Sequence, residues 1–329
     1  MNIHDIAAMC GVSAATVSRV INNSPNVSPP TRELVLRTMQ EAEYIPNAFA
    51  SGFGRNSMQL AGILCRDVAN MYYANVVSLL ERELRGKGFD SLLCCTGRNL
   101  TDIKERLTSV LQKRVNAVIL VGSAYREERD NSHIREAAAQ APVFMVNAFI
   151  QTPNVYCVYC DERDAMKNAV KRLFEDGRRK ILYIHDMAKW AWSGSQKLAG
   201  VRDGLTECGL TPGDDLIQQV TNGIDPARRR VSDLIERGVD FDAALASEDL
   251  LAIGAQKALL AAGKDIPVVG FNNSQLAECA TPELSSVDNM LETICVMSVD
   301  FMASLLAGNK IPQKVVVSAE LVQRKTFRA

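Results

Sequence analysis

The stretch Asn2-Ile3-His4-Asp5-Ile6-Ala7-Ala8-Met9-Cys10-Gly11-Val12-Ser13-Ala14-Ala15-Thr16-Val17-Ser18-Arg19-Val20-Ile21-Asn22 decides how this chain is read. Ile3, Ile6 and Ala7 stand at i, i+3 and i+4, which predicts a short helix with one apolar face up to Cys10. Gly11 breaks it, because glycine takes the left-handed backbone that ends helices without steric cost. Ser13 offers a hydroxyl to cap a second helix. In that helix Val17, Val20 and Ile21 are expected to face inward, and Ala14, Ala15, Ser18 and Arg19 outward. Two short helices joined by a tight glycine turn make a helix-turn-helix, whose second helix lies in the DNA major groove.

Outward from that stretch the chain is ordinary. Its 329 residues allow two or three domains. A hydrophobic content of 47% and a charged content of 23% describe a globular protein. No apolar run reaches membrane-helix length and no secretory signal is visible, so a cytoplasmic protein without membrane contact is expected. The nine cysteines are then expected to be reduced thiols. Cys157 and Cys160 form a C-x-x-C inside a strand-like run, with no second pair nearby, and read as buried strand cysteines. The net charge is −1, and residues 1–58 hold four arginines against four carboxylates with no lysine. A DNA-binding module is usually basic, so strong non-specific binding is not expected; helix N-termini and backbone N–H groups still hold phosphates.

Ser28 and Pro29 open a third helix, with Val35, Met39 and Ala42 on its inner face. Residues 47–58, containing Gly52-Phe53-Gly54, read as a linker. From residue 59 apolar strands alternate with helices: strands at 60–64, 91–95, 117–121 and 143–147 with helices at 72–85 and 101–113, then strands at 181–185, 216–220, 243–246 and 267–271 with helices at 195–208, 226–237 and 250–262. Continuous apolar strands between helices indicate parallel sheets covered on both faces. The fold class is therefore an N-terminal all-α helix-turn-helix domain followed by an α/β core of two lobes, each with a parallel sheet. No catalytic constellation, phosphate loop or metal-ligand spacing of His4, His133 and His185 stands out, so neither an enzyme nor a cofactor is expected.

The segment Asp5 to Asn22 closely resembles the signature of the lactose-repressor/galactose-repressor family of bacterial transcription regulators. The resemblance continues through Val27-Ser28, Thr31-Arg32 and Tyr44 to Ala48, and more loosely to the end of the chain. It implies a periplasmic-binding-protein-like core, a homodimer on double-stranded operator DNA, and a small effector between the lobes. It implies a DNA-binding domain at 1–46, a hinge at 47–58 and a core at 59–329. Lobe one would span about 59–160 and 291–317, and lobe two about 161–290 and 318–329. No leucine heptads follow Arg328-Ala329, so a dimer rather than a tetramer is expected. The DNA set it implies is Ser13, Ala14, Ala15, Thr16, Ser18, Arg19, Asn22, Asn47 and Phe53. Arg19 has the fork that bonds guanine O6 and N7, unless it contacts phosphate instead. Thr16 and Ser18 suit phosphates. Phe53 stands where relatives push a leucine from the hinge helix into the minor groove, although a plain flexible linker is the other reading.

Ligands in such folds sit where strand C-termini face the cleft. The candidates there are Asp67, Tyr72, Tyr73, Ser123, Asn147, Trp190, Trp192, Lys197, Glu248, Asp249 and Asn272. Aromatic faces suit the C–H faces of sugars, and carboxylates and amides suit hydroxyls; for the two tryptophans a surface or packing role is the alternative. Asn147, Lys197, Glu248 and Asn272 depart from the aspartate, arginine, asparagine and aspartate common in relatives. That makes the expected cleft less negative, and a lysine lacks the bidentate fork of arginine. A sugar, a sugar acid, or a cleft that has lost its ligand all fit those changes. The function expected is a DNA-binding regulator, a repressor, answering to a sugar or sugar derivative. A ligand-independent regulator and a cytosolic sugar-binding module are its alternatives.

Overall fold

The computed structural model describes residues 1–44, 59–97, 99–127, 130–186, 192–211 and 213–328. Asn47, Phe53 and Trp190, together with the 47–58 hinge, lie outside them.

The N-terminal unit holds α1 (Ile3–Cys10), α2 (Ala14–Ile21) and α3 (Pro29–Glu41). Asn2 and Asp5 cap α1 reciprocally, side chain to backbone in both directions, an arrangement in which each cap stabilises a helix by about 1 kcal/mol. Gly11 closes α1 with φ 64°. Ser13 Oγ then accepts from the Thr16 N–H at 3.2 Å, and Ser28 Oγ from the Thr31 N–H at 3.4 Å. Ile6, Ala7, Cys10, Val17, Val20 and Val35 form the buried centre of the unit. Ala14, expected to face outward, is half-buried and packs against this centre, because the tight turn folds the start of α2 back toward α1.

The remaining elements are β1 (Leu60–Cys65), α4 (Met71–Gly86), β2 (Asp90–Cys95), α5 (Leu100–Gln112), β3 (Ala117–Val121), α6 (Ser132–Ala138), β4 (Val143–Val146) and β5 (Val155–Cys160). They continue as α7 (Glu162–Glu175), β6 (Ile181–Asp186), α8 (Trp192–Glu207), β7 (Ile217–Val220), α9 (Ile224–Glu236), β8 (Ala243–Ala246) and α10 (Asp249–Ala261). The last are β9 (Val268–Phe271), α11 (Gln275–Cys279), β10 (Ser285–Asp288), α12 (Leu291–Leu306), β11 (Lys314–Val317) and β12 (Glu320–Val322). They build two six-stranded sheets, ordered β11-β5-β4-β3-β1-β2 and β12-β10-β9-β8-β6-β7. Strands β1, β3, β4, β8 and β9 are buried along their whole length, as strands covered on both faces must be. The chain passes between the sheets after Cys160, after Asp288 and after Val317.

Of the four helices absent from the expected series, α6, α7, α11 and α12, the two longest are α7 and α12. Each buries residues at helical spacing: Ala165, Met166, Ala169, Val170 and Leu173 in the first, and Leu291, Ile294, Cys295, Ser298, Val299 and Met302 in the second. Cys157 and Cys160 are both buried in β5, and their odd spacing turns them to opposite faces of the strand. Among the described residues no helix is long and apolar enough to cross a membrane.

Candidate nucleic-acid interface and ligand cleft

On α2, Ser13, Ala15 and Arg19 are exposed, while Thr16, Ser18 and Asn22 are half-buried. Ala15 and Arg19 are four residues apart and share one face. The hydroxyls of Ser13 and Thr16 meet at 3.0 Å. Asn22 Nδ2 donates to the Ser18 carbonyl at 2.9 Å and closes the helix end. Arg32 of α3 is held inside the unit, donating to Asn23 Oδ1 at 2.7 Å and to the Ser24 carbonyl. Arg19 has no side-chain hydrogen bond or ion pair with any described residue. The face thus offers one free guanidinium, hydroxyls at the helix start and a small methyl, which suits a close approach to base edges and phosphates.

In the core, both sheets bring strand ends to one place. Asn147 follows β4 with φ 57°; its Oδ1 accepts from the Cys160 N–H at 3.2 Å, and its Nδ2 donates to Glu162 Oε1 at 3.3 Å. Glu162, the first residue of α7, was not foreseen as a site residue. It is 2% exposed, and its Oε2 is buried with no hydrogen-bond partner. Lys197 of α8 lies 3.6 Å from Glu162 Oε1, donates to the Ser247 carbonyl at 3.0 Å, and sits 3.9 Å over the Phe271 ring. Its ammonium is therefore engaged on three sides by the protein. The Tyr72 hydroxyl approaches Asn147 outside hydrogen-bonding geometry, and burial pushes its pKa up. Tyr183 and Ser247 likewise carry buried hydroxyls near one another without a bond between them. Asn289 Nδ2 donates to Asn272 Oδ1 at 3.1 Å, leaving Asn289 Oδ1 buried and unpartnered.

Glu248, at the end of β8, accepts from Asn222 Nδ2 at 2.9 Å. Burial raises its carboxyl pKa, while Lys197 and the Asn222 bond pull it back. Asp249 has a different task from the one expected. Its Oδ2 accepts from the N–H and hydroxyl of Ser274, both at 2.7 Å, and its Oδ1 from Ser286 at 2.6 Å, so the carboxylate clamps the loop after β9 to β10. Asp67 is exposed and accepts from the Ala69 N–H at 2.9 Å in its own turn. Tyr73 meets the edge of Tyr72 at 5.3 Å.

At a second place the lobes touch. Ser123 Oγ accepts from the Ser193 N–H at 3.3 Å. The Trp192 and Tyr159 rings meet nearly at right angles with centroids 5.2 Å apart, and Arg126 lies over the Trp192 ring at 5.7 Å. Glu162, Tyr159, Asn222 and Asn289 all stand at or just beyond a strand's end, and that placement was the signal available for them in the sequence. No group of three or more His, Cys, Asp or Glu among the described residues could hold a metal.

Residues 59–320 match the family of "Periplasmic binding proteins and sugar binding domain of LacI family", and residues 2–47 match "Bacterial regulatory proteins, lacI family". The chain belongs to the LacI family. An HTH-type transcriptional regulator of Lachnoclostridium phytofermentans is 41% identical over 99% of both chains. The transcriptional regulator CelR, solved as a cellobiose complex, is 26% identical with a TM-score of 0.71, covering 99% of this chain and 100% of the other. The lac repressor dimer solved on operator with an anti-inducer shares the fold at a TM-score of 0.89 and 24% identity, covering 100% and 99%. This LacI-family chain is thus a helix-turn-helix transcription regulator with a periplasmic-binding-protein-like core, in a family of regulators rather than enzymes.

Proposed function

We propose that the chain is a cytoplasmic homodimeric repressor that binds operator DNA and is controlled by a sugar or sugar derivative in the cleft of its core. In this reading residues 1–46 bind DNA, 47–58 form the hinge, and 59–329 bind effector and dimerise. Arg19 reads a base, Ala15 makes an apolar base contact, and Ser13, Thr16, Ser18, Asn22 and Asn47 serve phosphates. Phe53 wedges the minor groove. The observation that carries the effector half is the set of buried, unpartnered polar atoms around Asn147, Glu162, Lys197 and Asn272: Tyr72 Oη, Glu162 Oε2, Tyr183 Oη, Ser247 Oγ and Asn289 Oδ1. Buried polar atoms in native proteins are nearly always bonded, and a polyhydroxylated ligand would satisfy these. Because Lys197 is engaged by Ser247, Glu162 and Phe271, and both ends of the Asn147 amide by Cys160 and Glu162, the ligand contacts are assigned to Tyr72, Tyr73, Glu162, Glu248 and Asn272, with Asn147 holding Glu162 in place. Asp67, Ser123 and Trp192 are assigned to the rim of the cleft. CelR's complex with cellobiose supports the same ligand class. Effector control requires that the ligand bind one lobe arrangement better than the other.

A thermal-shift screen of neutral sugars and sugar acids, followed by DNA shift assays with each hit, tests the reading. A sugar that raises the melting temperature of the full chain and releases DNA supports it. DNA binding that no sugar or sugar acid alters would replace it with ligand-independent regulation, and failure to bind any genomic fragment would replace it with a sugar-binding module.

A further inference from the structure

Two thiols in the first lobe stand in a relation that the regulator reading leaves unused. Cys65 is the last residue of β1 and is buried; Cys95 is the last residue of β2, the edge strand, and is exposed. Their sulfurs are 4.0 Å apart. The backbone holds the two strand ends together, the Thr96 N–H donating to the Cys65 carbonyl at 2.9 Å and the Gly97 N–H to the Arg66 carbonyl at 3.0 Å. Neighbouring strands lie roughly 4.8 Å apart, inside the Cα separation of about 4.4–6.8 Å that a disulfide spans. Closing the bond requires the sulfurs to approach by about 2 Å, a movement within reach of side-chain rotation.

The same strand ends are wired to the contact between the lobes. The Thr96 hydroxyl lies 3.3 Å from the Cys65 carbonyl and 3.1 Å from the Tyr125 hydroxyl. Tyr125 ends the turn Ser123–Tyr125, whose Ser123 meets Ser193 and whose next residue, Arg126, lies over Trp192. We propose that Cys65 and Cys95 form a redox-sensitive dithiol that a hydroperoxide closes to a disulfide, and that closure disturbs the contact between the lobes at Ser123 and Trp192. The consequence for regulation rests on the cleft reading above; the bond and the disturbed contact do not.

The chemistry divides between the two thiols by access. Burial pushes the Cys65 thiol up to about 12, so it waits protonated, and the exposed Cys95 meets the oxidant. The Cys95 thiolate attacks one peroxide oxygen, the O–O bond breaks, and hydroxide leaves and takes a proton as water. Cys95 is then a sulfenic acid. The Cys65 sulfur attacks that sulfur; the S–S bond forms, the S–OH bond breaks, and the departing hydroxide takes the Cys65 proton as a second water. Two thiols are oxidised by two electrons and one hydrogen peroxide is reduced to two waters. In a reducing compartment such a bond is transient, as redox-sensing disulfides are.

The test uses the full chain carrying Trp190→Phe, which leaves Trp192 as its one tryptophan. After hydrogen peroxide we expect the intact mass to fall by two hydrogens, a peptide pair joined through Cys65 and Cys95, and a shift in Trp192 emission. A dithiol reductant should reverse all three. Adding Cys95→Ser should remove them, and adding Cys279→Ser, at the other exposed thiol, should leave them. Oxidation of Cys95 to sulfinic acid with Cys65 still free, or a link from Cys95 to Cys94, would overturn the dithiol. A 65–95 bond with unchanged Trp192 emission would overturn its coupling to the contact between the lobes.

Discussion

Glu248 carries a carboxyl whose charge the cleft disfavours. Burial raises its pKa, against the opposing pull of Lys197 and Asn222. A group whose folded pKa exceeds its unfolded value contributes most to stability below the unfolded pKa and loses that contribution as pH rises through the folded one. Above that raised pKa the ionised Glu248 is therefore a cost to the folded chain. Glu248→Gln, which keeps an oxygen for Asn222, should raise the melting temperature above the raised pKa of Glu248, and the gain should vanish as pH falls through it. Melting curves across pH check this; a gain that grows toward acid would refute it. Lys197 and Glu162 are a different case, with side chains 7% and 1% exposed. Removing one partner of a buried pair strands the other charge, at a cost of about 3–5 kcal/mol. Lys197→Met should destabilise by that order in urea unfolding, and Lys197→Met with Glu162→Gln by much less. Equal losses in the single and double variants would mean that packing, rather than charge, decides this site.

At the scale of elements, α8 packs on α7 through glycine. A side-chain carbon at Gly200 would strike the Arg163 carbonyl, and one at Gly204 would meet Val170 and the Lys167 carbonyl. Backbone cannot yield as a flexible side chain does, so Gly200→Ala should cost about 1–3 kcal/mol of stability. Gly213→Ala, into open space at φ −66°, should stay within about 0.5 kcal/mol; comparable losses in chemical denaturation would count against the close packing. The recognition element makes a separate prediction. Arg19→Ala should cost about 1–3 kcal/mol on the best operator and relax one position per half-site. Equal losses on specific and random DNA would make Arg19 a phosphate contact. The periods that predicted α1, α2 and most core elements were equally present in α7 and α12, whose buried positions repeat at helical spacing. Those two helices are legible by the same rule and stand where the chain changes lobe.

Across the whole molecule, charge and connectivity set the behaviour. Residues 1–58 hold as many carboxylates as arginines. Each phosphate neutralised adds roughly −0.9 to the slope of log affinity against log salt, so a shallow slope is expected for the proposed dimer. A salt titration of operator binding measures it; a slope equal to that of about ten contacts would require cations from the core as well. The core's strands cross between two sheets after Cys160, Asp288 and Val317. The first crossing delivers Glu162 beside Asn147 and Lys197, so a residue just past the crossing bonds both to a strand end of one lobe and to a helix of the other.

The helix-turn-helix, the parallel lobes and the family were decided by the sequence alone, because capping residues, glycine breaks and apolar periods act over a few neighbours and leave their mark in the order of residues. The exposed positions of Ala15 and Arg19 on α2, and the place of Glu248 just past β8, were legible for the same reason. The tertiary structure decided what each cleft residue is free to do. Lys197 meets the Ser247 carbonyl, fifty residues away, and Asp249 meets Ser274 and Ser286, so charges that looked available to a ligand are engaged internally. Glu162 restores a carboxylate where Asn147 had seemed to remove one. Hydrogen bonds and ion pairs join groups distant in the chain only after the sheets have brought them together, and no local pattern encodes which partner each will find.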